Sequence, residues 1–425
     1  MTNNTNPNEI PEFSSDMVKK FQYASGLLYH WIESFGLEET LNLLDNFRLP
    51  FESLWVQVNT TKIDFDSLID IFEEMELKVN KHPWFNDFIE VKVGKREMEE
   101  DVLLYPVVKV DRESASNIAL GKDVHTASIT SHNSFLTGDK VRIMDFAGNI
   151  IALGTAMVNS KEILSLSQRV VVKVTESLGY VPPLTEMKEY RKGYFSILTP
   201  TQAIGTKSMY LESKDNILVM SGDRGEVAGY IAELTNNKCP ITIIAQNKMQ
   251  LKAIKRQVER LQIKAARIIL SSFHNLLKEK HEVKYTSVYF EPQNSRTAVI
   301  PTFASNLSFK RLEKMSNDQI EVASKLHRLL HKEASISYVT HSIDYLENEL
   351  VFQKILEKAF YEVQSFPLEI RNLQKKNILN SREISLTEII TKGKEQELST
   401  IFLNPAAIKN IGGFVAKFKF KAKTT

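Results

Sequence analysis

One histidine, His341, stands where an α/β protein would place a reactive side chain. It lies in the segment ISYVTHSIDYLENE, residues 336–349, directly after an apolar run that predicts a strand over residues 336–340. Open α/β sheets bind their ligands at the carboxyl ends of their strands, and an imidazole there can act as a general acid or base. The alternative interpretation is a histidine that fills space or contacts RNA without taking part in chemistry.

The turn in ILVMSGDRGEVAGYIAEL, residues 217–234, is a second candidate for ligand binding. It joins a predicted strand to a predicted helix, and in nucleotide-binding folds such a turn is rich in glycine and meets the ligand with backbone N–H groups. Charged residues crowd this turn, so the motif is weak. After the next strand, where a carboxylate normally binds the ribose hydroxyls, the chain has an amide. The candidate cofactor-binding residues are Ser221, Gly222, Asp223, Arg224, Gly225 and Gln246.

Two groups of cations are candidates for binding RNA. The first lies on a predicted amphipathic helix at residues 248–261, whose polar face is either a solvated surface or a basic surface that meets phosphates. The second is FVAKFKFKAK, residues 414–423, whose lysines would share one face of a strand. Those lysines either bind phosphates or protect an edge strand from aggregation. The candidates are Lys248, Lys252 and Arg256 on the helix, and Lys417, Lys419, Lys421 and Lys423 on the strand.

The composition is that of a globular protein without a disulfide framework. The chain has 425 residues, 43% of them hydrophobic and 25% charged, and its net charge of +2 neither favours nor excludes a nucleic-acid partner. A single cysteine, Cys239, rules out an intramolecular disulfide and a cysteine-based zinc site, and we expect no metal. Cys239 precedes a predicted strand, at the wrong end for chemistry, so we interpret it as structural. The polar first residues and the absence of a long apolar run predict a cytoplasmic protein with no membrane partner.

Patterns of strands and helices divide the chain into three predicted domains. Residues 1–100 combine helical spacing with an alternating strand and an amphipathic helix, which predicts a small amino-terminal α/β module. Residues 101–183 contain short strands separated by turns, including a hairpin at residues 138–158, and predict a compact β-barrel. Strands and helices alternate over residues 184–425, which is typical of a doubly wound, mostly parallel sheet.

Several segments together carry a family resemblance. The turn at residues 217–234 aligns without gaps on a family's S-adenosylmethionine loop, SVYFEPQNSR on its Asp-Ala-Pro-Cys-Ser-Gly motif, and YVTHSIDYLENE on its Ser-Thr-Cys-Ser motif with a Glu-Asn-Glu tail. GDKVRIMDFAGNIIALGTAMV, residues 138–158, is similar to the central hairpin of a PUA domain. The chain therefore resembles the Nop/Sun (RsmB-type) RNA cytosine-5 methyltransferases, in the branch with an inserted PUA RNA-binding domain. The resemblance implies a Rossmann-like S-adenosylmethionine methyltransferase core with a PUA-like β-barrel and a small amino-terminal α/β module.

The positions that the family uses for chemistry have changed in this sequence. The family is known for two cysteines, one that attacks C6 of cytosine and one that assists product release, and the resemblance places them at Gln293 and His341. A glutamine amide is not a nucleophile, and this chemistry requires a thiolate. We therefore expect no catalytic residue, and we expect His341 to occupy the vacated cysteine position. Charged positions of the cofactor and catalytic loops are also replaced, at Val219, Val227, Gln246, Ser271 and Phe290.

With these replacements, the resemblance implies a catalytically silent homologue that binds structured RNA, either tRNA or rRNA, and needs no cofactor. It would act as a scaffold or as the partner of an active methyltransferase or a ribosomal particle. One alternative is an active S-adenosylmethionine-dependent RNA methyltransferase with a rebuilt site, in which His341 or Glu291 is the base and a nitrogen accepts the methyl group. The other alternative is a scaffold that binds protein only.

Overall fold

The computed structural model describes residues 12–95, 102–165, 169–279, 282–358, 360–375 and 399–421. The chain divides into two compact units. The first contains residues Met1–Glu52, Val93–Pro182 and Ile300–Arg311, and the second contains Ser53–Lys92, Pro183–Val299 and Leu312–Thr425. In the described ranges, no helix combines the length and the apolar character needed to cross a membrane.

The helices and strands are numbered in chain order. The helices are α1 Glu12–Phe21, α2 Ser25–Phe35, α3 Leu37–Asn46, α4 Phe65–Glu74, α5 Arg112–Ile118, α6 Lys188–Arg191, α7 Pro200–Lys207, α8 Glu226–Leu234, α9 Lys248–Leu261, α10 Phe273–Leu276, α11 Phe309–Lys325, α12 Glu349–Leu356, α13 Leu368–Lys375 and α14 Pro405–Ile408. The strands are β1 Ser53–Val58, β2 Val79–Lys81, β3 Phe88–Lys92, β4 Val107–Val110, β5 Val124–His125, β6 Ile129–His132, β7 Lys140–Met144, β8 Ile150–Ala156, β9 Val170–Ser177, β10 Phe195–Leu198, β11 Ile217–Met220, β12 Ile241–Ala245, β13 Ala266–Leu270, β14 Tyr285–Phe290, β15 Leu330–Thr340, β16 Tyr361–Val363, β17 Thr400–Leu403 and β18 Gly413–Phe420.

The first unit combines the helices α1, α2 and α3 with a six-stranded sheet in the order β5-β9-β8-β7-β4-β6. The predicted hairpin is confirmed, since β7 and β8 pair in antiparallel fashion. Asp145 fixes its turn, because the buried carboxylate accepts the backbone N–H of Asn149 at 2.7 Å and pairs with Arg48 at 3.1 Å. Asp111 caps α5 by accepting the N–H groups of Glu113 and Ser114, as expected for aspartate at a helix start.

The second unit contains a small antiparallel sheet in the order β10-β1-β3-β2. Its edge strand β10 comes from far along the chain, and Val58 of β1 stands opposite Phe195 of β10. The amino-terminal module predicted at residues 1–100 is therefore split: its helices up to residue 52 belong to the first unit and its strands to the second. The local sequence pattern carries no trace of such a distant pairing, which explains the difference.

The larger sheet of the second unit has eight strands in the order β13-β12-β11-β14-β15-β18-β16, with β17 beside β18. The strands from β13 to β15 are parallel, and the helices α8 to α11 connect them. Their residues are mostly apolar because both faces of such a sheet are covered. The predicted Rossmann-like α/β fold is confirmed. The strand order reverses between β11 and β14, and ligands of such folds bind at that point.

The lysine-rich strand β18 is an interior strand, since it pairs with β15 on one side and with β16 and β17 on the other. Lys417 on this strand is 0% exposed. Its Nζ donates to Ser335 Oγ at 2.8 Å and lies 4.6 Å from the centre of the Tyr210 ring. The prediction that Lys417 binds RNA is therefore wrong, and so is the alternative of an exposed edge strand.

The other lysines of β18 and the residue after it face carboxylates. Lys419 pairs with Glu362 at 2.8 Å and with Glu333 at 3.2 Å, and Lys421 pairs with Glu362 at 3.0 Å. An RNA phosphate would have to displace these carboxylates. RNA contact by Lys419 and Lys421 stays a prediction, and Lys423 lies outside the described residues.

Candidate functional site

Three neighbouring strands of the larger sheet end in polar residues. Ser221 follows β11, Glu291 follows β14 and His341 follows β15. The backbone N–H of Glu291 donates to the carbonyl of Met220 at 2.8 Å, which holds the ends of β11 and β14 together. These residues share the carboxyl edge of the sheet, where the sequence placed His341.

Glu291 and His341 form a buried pair at this edge. His341 Nδ1 lies 3.1 Å from Glu291 Oε1, and the two residues are 2% and 6% exposed respectively. Ser221 Oγ donates to Glu291 Oε2 at 2.8 Å. Burial pushes the pKa of Glu291 upward, but the contact with His341 and the hydrogen bonds from Ser221 and Gln202 outweigh it, so the pKa lies below its ordinary value. The interior thus holds an ionised carboxylate.

The start of α7 completes this cluster. Thr199 and Gln202 form a capping box, in which each side chain accepts the backbone N–H of the other residue at 3.2 Å. The same two side chains reach the buried pair: Thr199 Oγ1 lies 2.7 Å from His341 Nε2, and Gln202 Nε2 donates to Glu291 Oε2 at 3.4 Å. We did not predict these residues, although Thr-x-x-Gln before a helix is a recognisable capping signal in the sequence.

The loop after His341 is fixed by a second buried network. Thr340 Oγ1 donates to Asn348 Oδ1 at 2.6 Å, and Asn348 Nδ2 donates to the carbonyl of Ser342 at 2.8 Å. The Glu347 carboxylate accepts the backbone N–H of Ser295 at 2.9 Å and its hydroxyl as well. Burial raises the pKa of Glu347. These contacts give the Glu-Asn-Glu segment a structural role behind the site.

The two other residues considered for cysteine chemistry make hydrogen bonds to residues outside this cluster. Gln293 is exposed, and its backbone carbonyl accepts a hydrogen bond from Gln319 Nε2 at 2.9 Å. Cys239 is buried before β12, at the amino-terminal end of that strand, and its Sγ donates to the carbonyl of Glu212 at 3.0 Å. Burial raises the pKa of the Cys239 thiol, which disfavours the reactive thiolate.

In the candidate cofactor loop between β11 and α8, nearby side chains accept hydrogen bonds from the backbone N–H groups. The N–H of Asp223 donates to Ser221 Oγ at 3.1 Å, the N–H of Arg224 to Glu226 Oε2 at 3.0 Å, and the N–H of Val227 to Asp223 Oδ2 at 2.9 Å. In nucleotide-binding folds, donors at this point are available to the ligand. Here side chains of the loop already satisfy three of them.

Gln250 on α9 ties this loop to the next one. Its Nε2 donates to the carbonyls of Ser221 and Asp223, each at 2.9 Å, and its Oε1 accepts the N–H of Gln246 at 2.8 Å. Gln250 thus links Gln246 to the loop, and cofactor binding by these residues stays a prediction. We missed Gln250 itself, although Asn247, three residues earlier, caps α9 and accepts the N–H of Gln250.

The glycines and the acidic side chains of the loop have different environments. Gly225 is the N-cap of α8 and has a φ of +112°, a conformation that L side chains rarely adopt. A Cβ on Gly222 would meet nothing within 4 Å. Burial, followed by the charges of Glu226 and Glu291, raises the pKa of Asp223 to about 8. The surroundings of this loop thus disfavour the charged form of the Asp223 carboxyl group.

The predicted RNA-binding residues of α9 are exposed. Lys248, Lys252 and Arg256 follow one another at intervals of four residues, which places them on one face of the helix. In the described part of the chain one group, His274 with Asp318 and Glu321, has the spacing to hold a cation. Exposed acidic clusters of this kind are common, and we assign no metal to it.

Comparison with protein families decides the assignment. Residues 106–178 match the family model of the PUA domain, and residues 207–419, half of the chain, match that of the 16S rRNA methyltransferase RsmB/F. The chain belongs to the RsmB/F methyltransferase family. The resemblance seen in the sequence is thereby confirmed for the family and for the PUA domain of this RsmB/F member.

Known relatives of this RsmB/F member come from Pyrococcus horikoshii. Its sequence is 24% identical to the tRNA (cytosine(72)-C(5))-methyltransferase over 317 residues, which cover 74% of this chain and 81% of the relative. The crystal structure of NSun6 with SFG matches 96% of this chain and all of the other, with a TM-score of 0.81 and 21% identity. A methyltransferase homolog protein matches 96% of this chain and 99% of its own, with a TM-score of 0.60 and 14% identity.

Proposed function

We propose that this RsmB/F family member is catalytically silent and binds structured RNA, a tRNA or an rRNA. The observation that carries the proposal is the state of His341, where the resemblance places a catalytic cysteine. Its imidazole is buried between Glu291 and Thr199. No thiolate therefore stands at this position to attack a cytosine. Gln293 at the other position has no nucleophilic atom, and Cys239 lies at the opposite edge of the sheet.

The cofactor loop supports the same proposal. S-adenosylmethionine would supply the methyl group, and the family resemblance places charged contacts for it at Val219, Val227 and Gln246. Val219 and Val227 are fully buried apolar side chains. Because the loop also uses three of its N–H groups internally, the residues present do not fit this cofactor.

RNA binding rests on different parts of the chain. The PUA domain at residues 106–178 and a relative that is a tRNA methyltransferase both point to RNA. The exposed cations of α9 add a surface that phosphates would favour. A silent member that keeps these features would serve as a scaffold or as the partner of an active methyltransferase or a ribosomal particle.

An active methyltransferase with a rebuilt site is the second candidate. One observation favours it: Thr199, His341, Glu291 and Ser221 form a continuous chain of polar contacts at the edge where ligands bind. Such a chain could take a proton from a nitrogen acceptor. The burial of both His341 and Glu291 weighs against this candidate, because the acceptor must reach the base within hydrogen-bond distance.

We expect S-adenosylmethionine to bind weakly or not at all. Each lost charge-assisted hydrogen bond removes about 1.5–3 kcal/mol, so two or three losses move a micromolar site towards millimolar. Isothermal titration calorimetry of the full chain measures this directly. The matched variant Gln246→Glu restores one such contact and should tighten binding by about 10- to 150-fold. A micromolar dissociation constant for the unmodified chain would refute the silent assignment and favour the second candidate.

A further inference from the structure

The second unit contains a cationic pocket, and of its lining residues only Arg256 belongs to the α9 surface described above. It has a volume of about 750 Å³ and lies between the carboxyl-terminal half of α9, the end of α6 and the loop after β1. This volume is within the range of small-ligand sites. Five cations and one carboxylate line it: Lys62, Arg191, Lys192, Arg256, Arg260 and Glu259.

Lys62 is built into the wall of this pocket. Its Nζ donates to the carbonyls of Lys192 at 3.1 Å and of Arg260 at 3.0 Å. An ammonium group has three donors, so one remains for a ligand. Gly193 allows this approach: it has a φ of +76°, and a Cβ there would lie 2.4 Å from the Arg260 carbonyl and 2.9 Å from Lys62 Nζ.

Arg260 is held in place by neutral partners. Its guanidinium donates to the carbonyls of Tyr190 at 2.7 Å and Phe195 at 2.9 Å, and its Cζ lies 3.9 Å from the centre of the Tyr190 ring. None of the five cations forms an ion pair with any residue that the structure describes. Their charge is therefore available to an anion that enters the pocket.

Helix α9 connects this pocket to the candidate cofactor loop. Its 14 residues span about 21 Å, with Gln250 bound to the loop at one end and Arg260 in the pocket at the other. Lys248 and Lys252 continue the exposed face that ends at Arg256. The cations thus form a path along one helix rather than an isolated patch.

We propose that this pocket binds a phosphate of an RNA backbone and that Lys252 and Lys248 contact the phosphates that follow. The proposal rests on the proposed RNA-binding function and names the site of that binding in the second unit. Arginine suits a phosphate because its planar fork donates two hydrogen bonds at once. The partly buried ring of Tyr194, which lies 5.4 Å from Lys192 Nζ, offers a surface on which a base can stack.

A charge-removal variant tests the site in the full chain with labelled bulk tRNA. Arg191→Gln, Lys192→Gln and Arg256→Gln together change three pocket cations that make no ion pair within the described residues. The matched control removes three exposed lysines outside the pocket, Lys238, Lys278 and Lys314. We expect the pocket variant to bind tRNA about 10- to 100-fold more weakly and to flatten the slope of log affinity against log salt by about 1, since the pocket binds one phosphate and each phosphate contact contributes about 0.7–0.9. The control should stay near the unmodified chain.

A gain-of-binding variant separates the proposal from misfolding. Glu259→Gln removes the pocket's carboxylate and should tighten tRNA binding by up to about fivefold, which corresponds to the energy of one exposed charge contact. Equal tRNA affinity of the pocket variant and the control would overturn the pocket assignment alone. Failure of the unmodified chain to bind either bulk tRNA or rRNA at low salt would overturn the RNA-binding function as well. A third outcome is that the pocket variant loses binding of inorganic pyrophosphate but keeps the tRNA affinity of the unmodified chain. That outcome would assign the pocket to a small polyanion and overturn the RNA assignment.

Discussion

Replacement of His341 by leucine is expected to lower the free energy of unfolding by about 2–3 kcal/mol, because it removes one polar partner of the buried Glu291 carboxylate, which keeps Ser221 and Gln202. The pair lies 3.1 Å apart and both residues are almost fully buried. Chemical denaturation followed by circular dichroism measures the loss. The double variant Glu291→Leu and His341→Leu should recover most of it, since apolar residues of similar shape can replace both members of a buried polar pair with little loss.

The pH dependence of this loss follows from the pKa of Glu291. Its pKa in the folded state is depressed, so its stabilising contribution is present above the pKa of an unfolded glutamate, about 4.3, and disappears as the pH falls through the folded value. The difference between the unmodified chain and His341→Leu should therefore be largest near neutral pH and shrink in acid. If the free energy of unfolding of His341→Leu at pH 7 lay within about 1 kcal/mol of that of the unmodified chain, a structural role for the pair would be contradicted.

Replacement of Lys417 by methionine is expected to stabilise the protein by about 2–4 kcal/mol at pH 7. Burial lowers the pKa of Lys417 from 10.5 to about 7, and each pKa unit corresponds to about 1.4 kcal/mol. Methionine fills a similar volume without that penalty, although it gives up the contacts with Ser335 and Tyr210. The matched variant Lys421→Met, at an exposed position after the same strand, should change stability by less than about 1 kcal/mol.

The sign of the pH effect separates burial of Lys417 from ordinary packing. Between the folded pKa of about 7 and the unfolded value of 10.5, the unfolded chain binds a proton that the folded chain lacks, so the contribution of Lys417 to stability rises with pH by about 1.4 kcal/mol per unit. Denaturation at pH 7 and pH 9 should show the advantage of Lys417→Met shrinking at the higher pH. An equal gain in stability of Lys417→Met at pH 7 and pH 9, or a variant less stable than the unmodified chain, would contradict the claim that Lys417 is buried and partly neutral.

The core of the fold could be predicted from the sequence because its signals are local. The helix at residues 248–261 has the predicted bounds, since an amphipathic helix repeats its apolar residues at helical spacing. The pairing of β10 with β1 joins residues more than a hundred positions apart, and no local pattern encodes it. The alternation around Lys417 predicted a half-exposed strand, but β16 and β17 cover β18.

The candidate site could be predicted in part. The sequence located His341 at the end of a strand and the loop at Ser221, because strand ends and turns are visible in it. The partners of these residues depend on three-dimensional contacts: Thr199 comes from a helix cap 142 residues before His341, and the loop N–H groups are satisfied by side chains whose direction no sequence pattern gives. Gln250 likewise gained its role from the folded geometry around Ser221.

The central claim is that this RsmB/F family member binds RNA without methylating it. The most direct test incubates the full chain with methyl-labelled S-adenosylmethionine and total RNA from a host that lacks 5-methylcytosine, and then measures label in isolated nucleosides from RNA that the protein has bound. We predict background incorporation, both for the unmodified chain and for the double variant Gln293→Cys and His341→Cys, because the cofactor loop is altered as well. Label above background in 5-methylcytosine, or in a base methylated on nitrogen, would contradict the claim.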